Sequence, residues 1–316
     1  MAAVRLLALT KDFDIGFWRR RPVAALQGVT LDVAPGEVLG YLGPNGAGKT
    51  TTMKLLVQLL FPTSGSVEVL GRPAGDVAVR RRVGFLPEAP AFGDNLSAEE
   101  LLIHYGRLFG FAAPDARRRA ARLLDRVGLD AERRRPLRRC SRGMRQRVGV
   151  AQALLNDPEV VLLDEPLAGL DALGRRAVRS LLLSLREEGR TVLLSSHILS
   201  DAEALCSRIA ILARGRLAAA GRLADLGLEV RGWELVVAGV TPAQVAAIEP
   251  APERVTRADD GRCVIALPRS RPPEPILAEL IRGGARILAL APQHETLEEF
   301  FVRTVAGREA EREAAG

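Results

Sequence analysis

The sequence has little cysteine, lysine, histidine or aromatic side chain, and no long apolar run. Its 316 residues hold three cysteines and three histidines, with 4% aromatics. Cys140, Cys206 and Cys263 stand far apart, with no CxxC pair and no histidine at metal spacing. That gives no ground for a disulfide framework or a zinc site, and it fits a reducing cytosol. No uninterrupted apolar stretch reaches the roughly 20 residues needed to cross a bilayer. The opening MAAVRLLALT lacks the long apolar core and small-residue cleavage site of a secretory signal. A chain of this kind is expected to serve a membrane only through a partner. Lysine is confined to Lys11, Lys49 and Lys54, so the net charge of +7 is carried by arginines spread along the chain. Clustered cations release counterions from phosphates, but dispersed arginine is weak ground for a nucleic-acid partner.

What is present is an ordinary globular composition, 47% hydrophobic and 26% charged, with room for two domains. From Val4 to about Leu226, short apolar runs alternate with longer helical periodicities, which predicts an α/β layer structure with a largely parallel sheet. EVLGYL, VVLLD and TVLLSS are the clearest core strands, each almost wholly apolar and ending in a residue suited to a site. SAEELLIHYGRLFG, with a Ser97 to Glu100 capping box, and DARRRAARLLDRVGL carry apolar residues at helical spacing. They predict a helical subdomain over about residues 88–156. The first domain is expected to span 1–226. Beyond Gly227 the order becomes strand, helix, strand, strand, helix, strand, the split βαβ or ferredoxin-like arrangement, over 227–306. A last helix is expected from about His294 to Thr304, and residues 307–316 as a frayed tail.

GPNGAGKT, Gly43 to Thr50, matches GxxxxGK[ST] between the strand EVLGYL and the helix TTMKLLVQLL. Along Gly43, Pro44, Asn45, Gly46, Ala47 and Gly48 the glycines let successive backbone N–H groups face one concavity. Lys49 reaches the β and γ phosphates, Thr50 offers its hydroxyl to Mg²⁺, and Thr51 continues the helix start, whose dipole favours anions. The pattern arises by chance in roughly one chain in a hundred of this length, and the strand–loop–helix setting lowers that further. A nucleotide is therefore expected here.

VVLLDEP places Asp164 at the C-terminal end of a buried strand, where a carboxylate can hold Mg²⁺, and Glu165 beside it, where it can orient a nucleophilic water. A solvated acidic pair would be the reading without the phosphate loop upstream. TVLLSSH ends another strand in Ser195, Ser196 and His197, in reach of a γ-phosphate; a lone histidine is otherwise more often structural or simply exposed.

With GPNGAGKTT, CSRGM, VVLLDEPLAGLD and SSH in this order, the chain from Val4 to Leu226 resembles the ATP-binding subunit of an ABC transporter, most like those of bacterial drug- and sodium-efflux systems. The resemblance implies a P-loop ABC ATPase fold, ATP and Mg²⁺ as cofactors, and hydrolysis involving Lys49, Glu165 and His197. It also implies a head-to-tail homodimer in which each nucleotide lies between one chain's phosphate loop and its partner's signature loop. The family signature LSGGQ corresponds to Cys140, Ser141, Arg142, Gly143 and Met144, of which Ser141 and Gly143 are retained. Read from the sequence alone, the Ser-Arg-Gly turn is a helix cap. Asp171, an N-cap by type, would by resemblance also couple the two sites. Where the family has a glutamine touching Mg²⁺, this chain has Glu88. Phe13 matches the adenine-stacking position, with Trp18 as alternative or a plain hairpin-tip aromatic as a third reading. The implied partner is a separate membrane permease at the cytoplasmic face, used for export of a small molecule, drug, lipid or ion. A soluble ABC ATPase acting on nucleic acid or ribosomes is the other reading. The chain has one phosphate loop and no sustained heptads between it and Asp164, so no direct nucleic-acid contact is expected.

Overall fold

The structure is a computed structural model that describes residues 1–15, 21–222, 225–226, 229–249, 251–258, 261–270, 272–295, 299–300 and 302–303. The chain divides into two compact units, Met1–Leu223 and Ala224–Gly316.

In the first unit, β1 (Val4–Ile15) and β2 (Arg21–Val33) place Val4, Leu6, Leu9, Leu26, Val29, Leu31 and Val33 on the buried side. Such half-buried strands suit an antiparallel sheet with one solvated face. They pair antiparallel, β1 pairs with β4 (Ser64–Val69), and β4 with β5 (Arg72–Pro73), in the order β2-β1-β4-β5. Strand β3 (Val38–Leu42) is buried at every position, which demands cover on both faces. It lies inside a six-stranded sheet with β6 (Val83–Leu86), β7 (Val160–Leu163), β8 (Thr191–Ser196), β9 (Arg208–Ala213) and β10 (Arg216–Arg222), ordered β10-β9-β3-β8-β7-β6. All neighbours are parallel except β10 and β9.

One face of this sheet, through Leu39, Tyr41, Leu162, Leu193 and Ala210, shares a core with the antiparallel sheet and with Met53, Leu55 and Leu56 of α1 (Lys49–Leu56). Burying one such side chain contributes about 1.5 to 3 kcal/mol. Helix α1 stops short of the TTMKLLVQLL run because Gln58 turns the chain at φ 55. The remaining helices are α2 (Val77–Arg80), α3 (Ala98–Leu108), α4 (Ala113–Arg126), α5 (Arg142–Ala153), α6 (Ala172–Glu187) and α7 (Leu199–Leu205). At the start of α3, Ser97 and Glu100 close a reciprocal capping box, whose hydrogen bonds hold the Glu100 carboxyl below its ordinary pKa.

The second unit runs β11 (Val230–Ala238), α8 (Pro242–Ala246), β12 (Arg254–Arg257), β13 (Arg262–Pro268), α9 (Glu274–Arg282) and β14 (Arg286–His294). Its sheet is antiparallel throughout, ordered β12-β13-β11-β14, over a core of Leu235, Val237, Ile265, Leu267, Ile276 and Leu280. His294, expected to open the last helix, instead ends β14, because the ladder continues to its partner Val230. Part of that expected helix, and all of 307–316, lie outside the described residues.

Candidate functional site

The loop Gly43–Thr50 leaves the end of β3 and enters α1. Gly48 sits at φ 107, and a Cβ there would lie 2.6 Å from the Ala25 carbonyl oxygen. Only glycine meets both conditions. Lys49 is buried and curls over the loop, its Nζ donating to the carbonyls of Gly43 at 2.6 Å and Pro44 at 3.2 Å. Behind it, the Thr52 hydroxyl donates to the Gly48 carbonyl at 3.0 Å and meets the Tyr41 hydroxyl at 3.1 Å. Burial pushes the Tyr41 pKa up, so that phenol stays neutral. The loop bounds a cleft of about 230 Å³ lined by Ala25, Pro44 to Thr51, Glu88 and Glu165.

Strand β8 lies between β3 and β7, so its end sits between the phosphate loop and the acidic pair. Ser195 uses that position. Its hydroxyl donates to Asp164 Oδ1 at 2.6 Å and accepts the Glu165 N–H at 2.9 Å. Asp164 is fully buried, and its Oδ2 has no hydrogen-bond partner among the described residues. A buried carboxylate oxygen left this way suits a cation. Glu165 stands at φ 51, with Oε2 2.8 Å from His197 Nδ1 and Oε1 3.7 Å from Lys49 Nζ. One carboxylate thus faces an imidazole and an ammonium at the phosphate loop, an arrangement that can orient water against a phosphate. Among the described residues no group of three or more His, Cys, Asp or Glu is placed to hold a metal.

Ser141 caps α5, its hydroxyl accepting the Met144 N–H at 3.2 Å, and Ser141 and Arg142 are exposed. A Cβ on Gly143 would lie 3.0 Å from the Gly169 carbonyl oxygen. One turn further on, buried Gln146 donates through Nε2 to the Glu165 carbonyl at 3.0 Å. The half-buried Cys140 thiol is pushed above its ordinary pKa by burial. Asp171 caps α6, accepting the Gly174 N–H at 2.8 Å.

The structure therefore gathers Gly43 to Thr51, Glu88, Asp164, Glu165 and His197 at one sheet end. It sets Ser141 to Met144 and Asp171 at two neighbouring helix starts. Phe13 is not among the residues lining the cleft; it lies on β1 opposite Val23, with the Lys11 ammonium 5.2 Å from its ring centroid. Trp18 falls outside the described residues. Sequence reasoning missed Thr52, Tyr41 and Gln146. Thr52 carried a signal, a polar residue on the inward side of an amphipathic helix, whereas the partner of Gln146 is visible only in three dimensions.

Residues 26–168 match the ABC transporter family. An ABC transporter ATP-binding protein of Nostoc sp. is 40% identical over 94% of this chain and 88% of its own length. The Nod factor export ATP-binding protein I of Burkholderia thailandensis is 36% identical over 90% of this chain and 92% of its own. Among solved structures, a dimeric post-hydrolysis ATP-binding cassette bound to ADP and Pi superposes with a TM-score of 0.65 at 28% identity, covering 70% of this chain and 98% of that one. Among the described residues no helix is long and apolar enough to cross a membrane. A phosphate loop, a buried acidic strand end and kinship across most of the chain's length converge on one conclusion: the chain belongs to the ABC transporter family as one of its ATP-hydrolysing, ATP-binding proteins.

Proposed function

We propose that this chain is the ATPase subunit of an exporter, working as a nucleotide-sandwich homodimer on a separate permease at the cytoplasmic face of the membrane. The export-related name of the Nod factor relative supports the direction. Lys49 and the backbone of Gly43 to Thr51 hold the phosphates of ATP. Thr50, Asp164 and Glu88 would hold Mg²⁺, and the unpartnered Asp164 Oδ2 supports that donor set. When bound, the ion neutralises charge between the β and γ phosphates. Glu165 orients the attacking water, while His197 on Glu165 Oε2 keeps that carboxylate in place and faces the γ-phosphate. Ser141, Arg142, Gly143 and Met144 reach the partner's nucleotide, and Asp171 lies on the loop between the two sites. Phe13 remains the candidate for stacking on adenine. Residues 1–226 form the ATPase domain, with the helical subdomain over about 88–156. Residues 227–306 form a ferredoxin-like accessory domain, a reading supported by the β12-β13-β11-β14 order.

The observation that carries this reading is the convergence of Lys49, Ser195 and His197 on the Asp164–Glu165 pair beside the phosphate loop. The test is Glu165→Gln in the full chain. Turnover should fall by a factor on the order of a hundred or more, and ATP should convert the protein to a stable dimer in size-exclusion chromatography. A variant that hydrolyses normally and stays monomeric with ATP would overturn these roles. Co-purification of a membrane protein is expected from cells, and recovery of ribosomes or DNA instead would overturn the transport assignment.

A further inference from the structure

Glu165 holds φ 51, a left-handed conformation that a residue with a Cβ rarely adopts and that persists only where its surroundings fix it. Besides the Ala168 N–H, which donates to the Glu165 carbonyl at 3.1 Å within the turn, two side chains hold this residue's backbone from opposite ends. The N–H donates to Ser195 Oγ at 2.9 Å, and the carbonyl accepts Gln146 Nε2 at 3.0 Å. Ser195 has a second task, donating to Asp164. Gln146 does not line the phosphate cleft; it lines a separate cleft of about 380 Å³ with Glu88, Cys140, Arg142 and Arg145. It is buried, with 4% of its surface exposed, so a donor is committed inside the protein to one backbone oxygen of one residue. The same helix touches the same loop a second time, where a Cβ on Gly143 would meet the Gly169 carbonyl oxygen at a tight 3.0 Å. Helix α5 therefore grips the segment from Glu165 to Gly169 at both ends, and α5 begins with the turn Ser141–Gly143.

We propose that Gln146 is a positioning residue for hydrolysis. By holding the Glu165 carbonyl it keeps the peptide in its left-handed turn and the carboxylate between Lys49 and His197. It also ties that aim to the seating of α5, so the turn offered to the partner's nucleotide and the carboxylate of its own site move as one. Without the donor, the carbonyl keeps only the Ala168 N–H at 3.1 Å from within its own turn, α5 no longer holds that turn, and the Cα–Cβ direction of Glu165 is free to turn away from the cleft. This inference rests on Glu165 being the residue that orients water.

The test uses the full chain with Gln146→Leu, which removes the donor at similar volume, and Gln146→Glu, which keeps length but has no N–H to give. Each is measured for KM, kcat, ATP-driven dimerisation and thermal unfolding. The expected result is a kcat lower by roughly tenfold to a hundredfold with KM within about twofold, and an ATP-driven dimer that still forms. On a Glu165→Gln background, Gln146→Leu should cost nothing further, because its effect passes through the missing carboxylate. Should Gln146→Leu not fold, Gln146→Glu carries the same measurements. Unchanged kcat in a folded variant, or a loss that repeats in full on the Glu165→Gln background, overturns the proposal. Normal turnover in Glu165→Gln alone overturns the role of Glu165 instead, so the two failures are separable.

Discussion

Helices α1 and α5 both begin at a glycine-containing turn, yet they treat their first N–H groups in opposite ways. The N-cap of α1 is Gly48, which has no side chain to spend on the helix start. The N-cap of α5 is Ser141, whose hydroxyl already accepts the Met144 N–H. A helix start with no side-chain cap leaves donors for an anion. Around Gly48 the chain supplies everything else that an anion needs: a buried lysine, a tight glycine against Ala25, and Thr52 bonded to the Gly48 carbonyl from behind. Around Ser141 there is an exposed, self-satisfied cap. The first turn holds what a phosphate site needs within one chain, and the second, in the proposed homodimer, is half of a site.

The sharpest way to break this contrast is Gly48→Ala. Its Cβ would meet the Ala25 carbonyl oxygen at 2.6 Å and Leu26 Cδ2 at 2.7 Å, at a φ that L-residues avoid. Strain and overpacking together cost about 3 kcal/mol, equivalent to about a hundredfold in ATP affinity if borne by the loop. Isothermal titration with ATP, alongside thermal unfolding, checks this, and wild-type affinity in a fully stable variant would contradict it. A smaller effect is expected from Ser141→Ala. Loss of the cap should cost about 1 kcal/mol of stability, lowering Tm by roughly 2 to 4 °C, while ATP binding to the isolated chain stays at the wild-type value. Ser141→Gly separates the two roles, since it costs only a few tenths of a kcal/mol as a cap but also removes the hydroxyl. If hydrolysis falls equally in both variants, the hydroxyl serves the partner's nucleotide. If it falls only in Ser141→Ala, the serine serves its own helix.

How far the sequence could be read follows the same divide between local and distant causes. The place of the phosphate loop between β3 and α1 was legible because strand, glycines and helix are contiguous. So were the Ser97–Glu100 capping box and the all-apolar central strands. The antiparallel sheet was not, because β1 finds β4 across two intervening strands and a helix, and a period of two identifies a strand without naming its partner. The end of α1 was missed for a local reason, the positive φ at Gln58, which no glycine or asparagine announces. Phe13 was read from a motif position, and the structure sets it on β1 opposite Val23. Gln146 was invisible for the opposite reason. Its role exists only because α5 packs over a turn that follows β7.

Glu88 gives the smallest expected effect and the finest test of the contrast, since it belongs to both halves. It is exposed, and it lines the phosphate cleft together with Lys49 and Glu165 while also lining the cleft that holds Arg142 and Gln146. A second carboxylate beside Glu165 adds negative charge where phosphates are to bind. Exposure and salt screen that charge, so its reach is worth roughly 0.2 to 1 kcal/mol. Glu88→Gln should therefore tighten ATP binding by up to about fivefold in EDTA at low salt. With Mg²⁺ present the ion offsets the carboxylate, so affinity should stay within about twofold while the hydrolysis rate changes. The gain in EDTA should shrink as salt rises, which a change in loop shape would not reproduce. Equal affinities with and without EDTA, together with unchanged kinetics, would leave Glu88 as surface and place the boundary between the two halves at Pro44 to Thr51 alone.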